Sequence, residues 1–164
     1  MRARLLASAI FLIPMAAKAK VEILSQTGDW AVVADEEKGH CAMSSVGDRS
    51  LMIRKTEGEQ AYAFIVTNPK WRLPEGQKVA VGLEVGEWKF ESKSTAGSRT
   101  AVISYTPQAD SMFIIAMIAK ESNLTLRFPE GTEPPWTISL RGSSVAATKF
   151  YECIQPPQPY GRSR

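Results

Sequence analysis

Along most of the chain, apolar and polar residues alternate in short runs, and each run stops at Gly, Pro, Asn or Asp. WAVVA (30–34) follows Gly28-Asp29, SLMIRK (50–55) follows Val46-Gly47-Asp48, and QAYAFIV (60–66) runs up to Asn68-Pro69. QKVAVGLEV (77–85) places Val79, Val81, Leu83 and Val85 on one face at strict period two. After Gly86, EWKFE (87–91) sets Trp88 and Phe90 on a common face, and RTAVISY (99–105), NLTLRF (123–128) and WTISL (136–140) complete the series. Period two marks strands with one buried face. Short strands at regular spacing with turn residues between them predict a mainly β chain, an antiparallel β-sandwich or barrel.

Two segments leave that period. In DSMFIIAMIAKES (110–122), Met112, Ile115, Ala116 and Ala119 fall at helical spacing, and Asp110 or Ser111 is the expected N-cap. This reads as a buried helix over 111–121, although length alone does not exclude a strand. In SVAATKFYECI (144–154), Ala146, Phe150 and Cys153 form one stripe, and Pro156-Pro157 stops the helix. The expected domain spans 20–155, and the Pro-rich, basic residues 156–164 form a tail with nothing to bury.

The first nineteen residues are set apart from this pattern. Arg2 and Arg4 precede an apolar run from Leu5 to Met15, and Ala17-Lys18-Ala19 has small-x-small order. That is the form of a secretory signal over 1–19, cleaved before Lys20. Roughly eleven apolar residues are too few for the ~20 that span a bilayer, so no transmembrane segment is expected in the mature chain. Twenty Lys and Arg stand against 17 Asp and Glu, and three of the basic residues (Arg2, Arg4, Lys18) belong to the leader. The remainder balances to zero, which removes the electrostatic footing for a nucleic-acid partner. In an oxidising compartment the two cysteines, Cys41 and Cys153, read as one disulfide. Two free buried thiols, or one reactive cysteine, are the competing readings.

Little else suggests chemistry. Gly142-Ser143-Ser144 sits between a strand and a helix, where hydrolases present a nucleophile, but the second glycine of G-x-S-x-G is replaced by Ala146. The serine's base would have to be His40, the only histidine, in the charged turn DEEKGHCAM (35–43). A helix cap by Ser144, worth about 1 kcal/mol, explains the same residues more simply. One histidine and two distant cysteines make no zinc set, Asp35-Glu36-Glu37 has no calcium-loop spacing, and no cofactor is expected. Of four tryptophans, Trp30, Trp88 and Trp136 read as core. Trp71 lies in the turn-rich connector TNPKWRLPEG (67–76) between Lys70 and Arg72, the candidate partner-binding residues. A Trp71 that folds back as a plug over the core is the equal alternative.

GDWAVVAD (28–35), and WTISLRGSSVAA (136–147) followed by FYEC (150–153), resemble small exported β-domains of alphaproteobacteria, in particular the invasion-associated locus B family. The resemblance implies a periplasmic or secreted β-rich protein, linked in some pathogens to host-cell invasion, with no established catalytic residues. The resulting expectation is a non-enzymatic binding protein of the bacterial envelope whose partner is a protein or an envelope component. A small serine hydrolase using Ser143 or Ser144 with His40, or an inhibitor of lysozyme or a protease, are the alternatives.

Overall fold

The computed structural model describes residues 21–155. The expected leader (1–19) and tail (156–164) lie outside them. Ten strands and two helices follow in the order β1 (Val21–Thr27), β2 (Trp30–Asp35), β3 (His40–Ser45), β4 (Ser50–Thr56), β5 (Ala61–Thr67), β6 (Lys78–Val85), β7 (Trp88–Ser98), β8 (Ala101–Pro107), α1 (Gln108–Lys120), β9 (Asn123–Arg127), β10 (Trp136–Ser139) and α2 (Ser143–Ile154). All strands join one sheet in the order β1-β2-β3-β4-β5-β8-β7-β6-β9-β10, and every neighbouring pair is antiparallel. The connector 68–77 carries the chain past β8 and β7 to β6.

The sheet rolls up. Laid flat, nine strand spacings of about 4.8 Å would hold β1 and β10 roughly 43 Å apart. Instead the Asp29 N–H, in the β1–β2 turn, donates to the Arg141 carbonyl just past β10 (2.9 Å). The Trp30 indole N–H donates to the Ser139 carbonyl (2.9 Å). Backbones meet here because both crossing residues are glycines with positive φ, Gly28 (58°) and Gly142 (90°). A Cβ on either would run into the other segment's main chain. The concave side holds one core that includes Trp30, Met43, Ile53, Phe64, Ile118 and Phe150. The helices pack against that side, with Tyr62 edge-on to Phe150 of α2 (6.2 Å) and its hydroxyl donating to the Met112 sulfur of α1 (3.5 Å).

The Cys41–Cys153 disulfide joins the start of β3 to the last turn of α2. Both helices form where the helical spacing places them, but neither is capped as expected. α1 starts after Pro107, and Ser111 lies inside it, fully buried, donating to the carbonyls of Thr106 (3.1 Å) and Pro107 (2.9 Å). α2 starts after Gly142 with no side-chain cap. Ser144 is exposed, so the expected Ser144 cap is corrected. The serine with a structural role is Ser143. Its buried hydroxyl donates to the Ile118 carbonyl (2.7 Å), one of the last four acceptors of α1, which no intrahelical amide can reach. Ser143→Ala should therefore cost about 1–2 kcal/mol by leaving that carbonyl unpaired. Ser144→Ala should stay within about 0.5 kcal/mol of the parent. Urea melts of the two variants check the order, and a larger loss at Ser144 would restore the cap.

Two strands were not among the predicted runs, β1 and β3. The segment 35–43, read as one charged turn, is a turn only over 36–39, and His40 already pairs with Asp35 across β2 and β3.

Candidate functional site

At one end of the rolled sheet three loops meet: the β3–β4 turn (46–49), the connector 68–77 and the β9–β10 loop (128–135). Their side chains converge on Glu133. One of its carboxylate oxygens accepts the Trp71 indole N–H (3.0 Å). The other accepts the Trp136 indole N–H (2.7 Å) and a long bond from the Asn68 amide (3.5 Å). The Arg49 guanidinium lies 3.7 Å from that second oxygen and 5.1 Å from the centre of the Trp136 ring. The rings also hold one another. Trp71 is edge-on to Phe128 (5.5 Å) and tilted on Trp136 (5.3 Å), and Phe128 and Trp136 are 4.8 Å apart. Aromatic contacts of this geometry are favourable beyond their buried area, and a carboxylate is the acceptor that two indole donors need.

The connector itself is fixed to the β7–β8 turn. Asn68 is buried; its side-chain oxygen accepts the Lys70 N–H (3.0 Å) and its backbone N–H donates to Thr100 (2.9 Å). The Leu73 N–H donates to Arg99 (3.0 Å). Of the three candidate residues, Lys70 and Arg72 are exposed and Trp71 is half-buried. Arg72 folds back to donate to the carbonyls of Pro69 (2.9 Å) and Trp71 (2.6 Å). The connector therefore presents two cations on a rigid aromatic base. A cleft of about 280 Å³, lined by Phe90, Arg127, Phe128 and Glu133 among others, adjoins it.

The exposed indole is Trp88, which the alternation placed in the core. It is 52 % exposed. Its partner Val85 closes the β6–β7 hairpin, so Trp88 faces inward but stands beyond the last core layer, edge-on to Phe113 of α1 (5.0 Å). Glu133 carried no signal in the sequence, because its partners Arg49, Asn68 and Trp71 come from distant loops.

The opposite end of α2 holds a second cleft, about 590 Å³, lined by His40, Cys41, Lys55, Glu57, Cys153 and neighbouring residues. The disulfide brings His40 to the last turn of α2, whereas Ser143 and Ser144 open its first turn. Ten residues of helix, about 15 Å, lie between. Moreover, the Ser143 proton is engaged by Ile118. The geometry thus separates the proposed nucleophile from its base.

Burial lowers the His40 pKa, the Arg54 cation lowers it further, and Asp35 opposes both. The unfolded chain then takes up the proton first, so this group disfavours the fold as pH drops through about 6.5. An NMR titration of the single imidazole should give a midpoint below about 6.5, and Arg54→Met should move it upward. A midpoint at or above that value in the parent would contradict the assignment.

No protein-family model matches the chain, and no curated protein sequence does. Among solved structures, the crystal structure of invasion associated protein B from Bartonella henselae is similar, with a TM-score of 0.52 at 19 % identity over 78 % of this chain and 95 % of that one. At that identity the likeness concerns the fold. The rolled antiparallel sheet with its two helices is thus a fold shared with invasion associated protein B, in agreement with the resemblance carried by its two ends.

Proposed function

We propose that the chain is an exported, non-enzymatic binding protein of the bacterial envelope, periplasmic or secreted, which recognises a protein or an envelope component through the connector 67–76. The observation that carries this is the Glu133 cluster. It holds Trp71 in place from behind, so Lys70 and Arg72 are displayed on a base that loses little freedom when a partner arrives. The leader pattern and the disulfide support export. The fold shared with invasion associated protein B supports an envelope role, and makes contact with a host cell a setting to test.

The experiment is site-specific photocrosslinking in living cells. A crosslinker at Arg72 should yield a discrete adduct, and one at Val145, on the exposed side of α2, should yield none. Equal yields, or none at Arg72, would remove the connector from the proposal. Labelling of Ser143 or Ser144 by a fluorophosphonate probe would replace it with the hydrolase. Stoichiometric inhibition of lysozyme or a protease, lost on replacing Lys70 and Arg72 by Ala, would narrow it to an inhibitor.

A further inference from the structure

A patch of the outward face of the sheet, on β4, β5 and β8, is apolar where solvent should favour polar residues. Register places Ala42, Arg54, Ala63 and Tyr105 in one row across β3, β4, β5 and β8. Met52, Ile65 and Ile103 form the centre of the adjacent row, which ends in Ser44 on β3 and Thr95 on β7. All point away from the core, because the residues between them, such as Met43, Ile53 and Phe64, are buried on the other side. An antiparallel sheet packed on one face ordinarily alternates to polar residues on the other. Here Arg54 is flanked by Ala42 and Ala63, each 1 % exposed, Ser44 lies diagonally across on β3, and Tyr105 is 63 % exposed.

Arg54 is the anomaly within that face. Its Nε is buried and has no hydrogen-bond partner. Among the described residues no carboxylate pairs with its guanidinium. Asp35, one row away beside His40, is engaged by the Lys38 N–H (3.1 Å) and ammonium (3.4 Å). A buried donor without an acceptor is uncommon in a folded chain, and an acceptor from outside the chain would satisfy it. A guanidinium in an apolar setting is matched by a planar carboxylate, which it can hold with two parallel bonds. A phosphate-rich surface would demand several cations, and these two rows supply one.

We propose that this face is a second docking surface, distinct from the connector, for an acidic segment of a protein partner. One carboxylate of that segment pairs with Arg54, while apolar side chains on either side of it cover Met52, Ile65, Ile103 and Tyr105. An extended segment lying across the strands of this outer surface would turn alternate side chains toward the protein.

The test uses the full oxidised chain, labelled for NMR at arginine side chains and methionine methyls. It is titrated with the acetylated and amidated peptide LSESV, whose Leu, Glu and Val share one face, and separately with LSQSV. The acidic peptide should shift the Arg54 Nε–H and the Met52 methyl together and bind at least tenfold more tightly than its glutamine counterpart. Arg54→Met should weaken it at least tenfold, with Arg54→Lys in between. Since the two peptides are compared on the parent protein, the result does not depend on either variant folding. Equal binding of both peptides, or shifts at the Trp71 indole with none at Arg54, would overturn the proposal. Inorganic phosphate binding more tightly than LSESV would assign the face to another anion. A dimer of the chain alone that dissociates on Arg54→Met would assign it to a second copy. Failure here leaves the connector untouched, and crosslinking failure at Arg72 leaves this face untouched.

Discussion

Reducing the Cys41–Cys153 bond, or replacing both cysteines by serine, should lower stability by about 4–5 kcal/mol. The bond spans 112 residues, so it denies the unfolded chain most of its freedom to separate its ends. The structure adds a local reason. α2 has twelve residues, too few to hold alone in water. Its inward stripe, Ala146, Ala147 and Phe150, seats it on β1 to β3, while the disulfide fixes the turn beyond Phe150. Loss of the bond should therefore fray α2 from its C-terminal end first. The Ser143 end remains tied to Ile118 and to the Gly28–Gly142 crossing. Urea melts of oxidised and reduced protein give the total, and amide exchange along α2 gives the order. Uniform exchange along the helix, or a loss under about 1 kcal/mol, would mean that packing alone seats it.

How far the fold was legible depends on how each segment hides or shows its buried face. β6 is read without effort, since Val79, Val81, Leu83 and Val85 all face the concave side. β3 was missed because its inward residues are Cys41, Met43 and Ser45, and its neighbours Ala42 and Ser44 are as small as turn residues. Its alternation is real in the structure but almost flat in hydropathy. β1 was missed for another reason. Its residues are nearly all exposed, as befits the edge of the sheet, so no buried face is there to produce a pattern. Trp88 shows the limit from the other side. Alternation gives the direction of a side chain, and it does not tell where along the strand the core ends.

The same distinction governs the site. Composition and turn residues found the connector, because Asn68, Pro69 and Pro74 flank an indole that no strand could absorb. They could not find Glu133, whose role exists only once loops 46–49, 68–77 and 128–135 are brought together. The serines of α2 were legible as structural and misassigned in detail. Whether a serine before a helix accepts from that helix or donates to another is decided by what lies nearby in space, in this case the end of α1.

Trp71→Ala should cost about 2–3 kcal/mol of stability. That is less than the ~3–5 kcal/mol of a fully buried aromatic, because the ring packs on the core but is only partly buried. Its loss removes the packing on Phe128 and Trp136 and one of the two indole donors to Glu133. Trp71→Phe separates these effects, since it keeps a ring but no N–H, and should cost only about 1 kcal/mol. Replacing the other indoles to isolate Trp71 is not open, with Trp30 at 0 % and Trp136 at 4 % exposure. Fluorotryptophan incorporated at all four positions avoids the problem. Solvent-dependent fluorine shifts should then rank Trp88 first, Trp71 second, and Trp136 and Trp30 last. If Trp71 responds as strongly as Trp88, the Glu133 cluster does not hold it. If recognition runs through the connector, Trp71→Phe should bind a crosslinked partner nearly as well as the parent, because the ring still supports Lys70 and Arg72. Trp71→Ala should lose tenfold or more even where it remains folded, about 1.4 kcal/mol of binding. Equal binding by the parent and the folded alanine variant would make Trp71 purely a structural element, and the contact surface would have to be sought elsewhere.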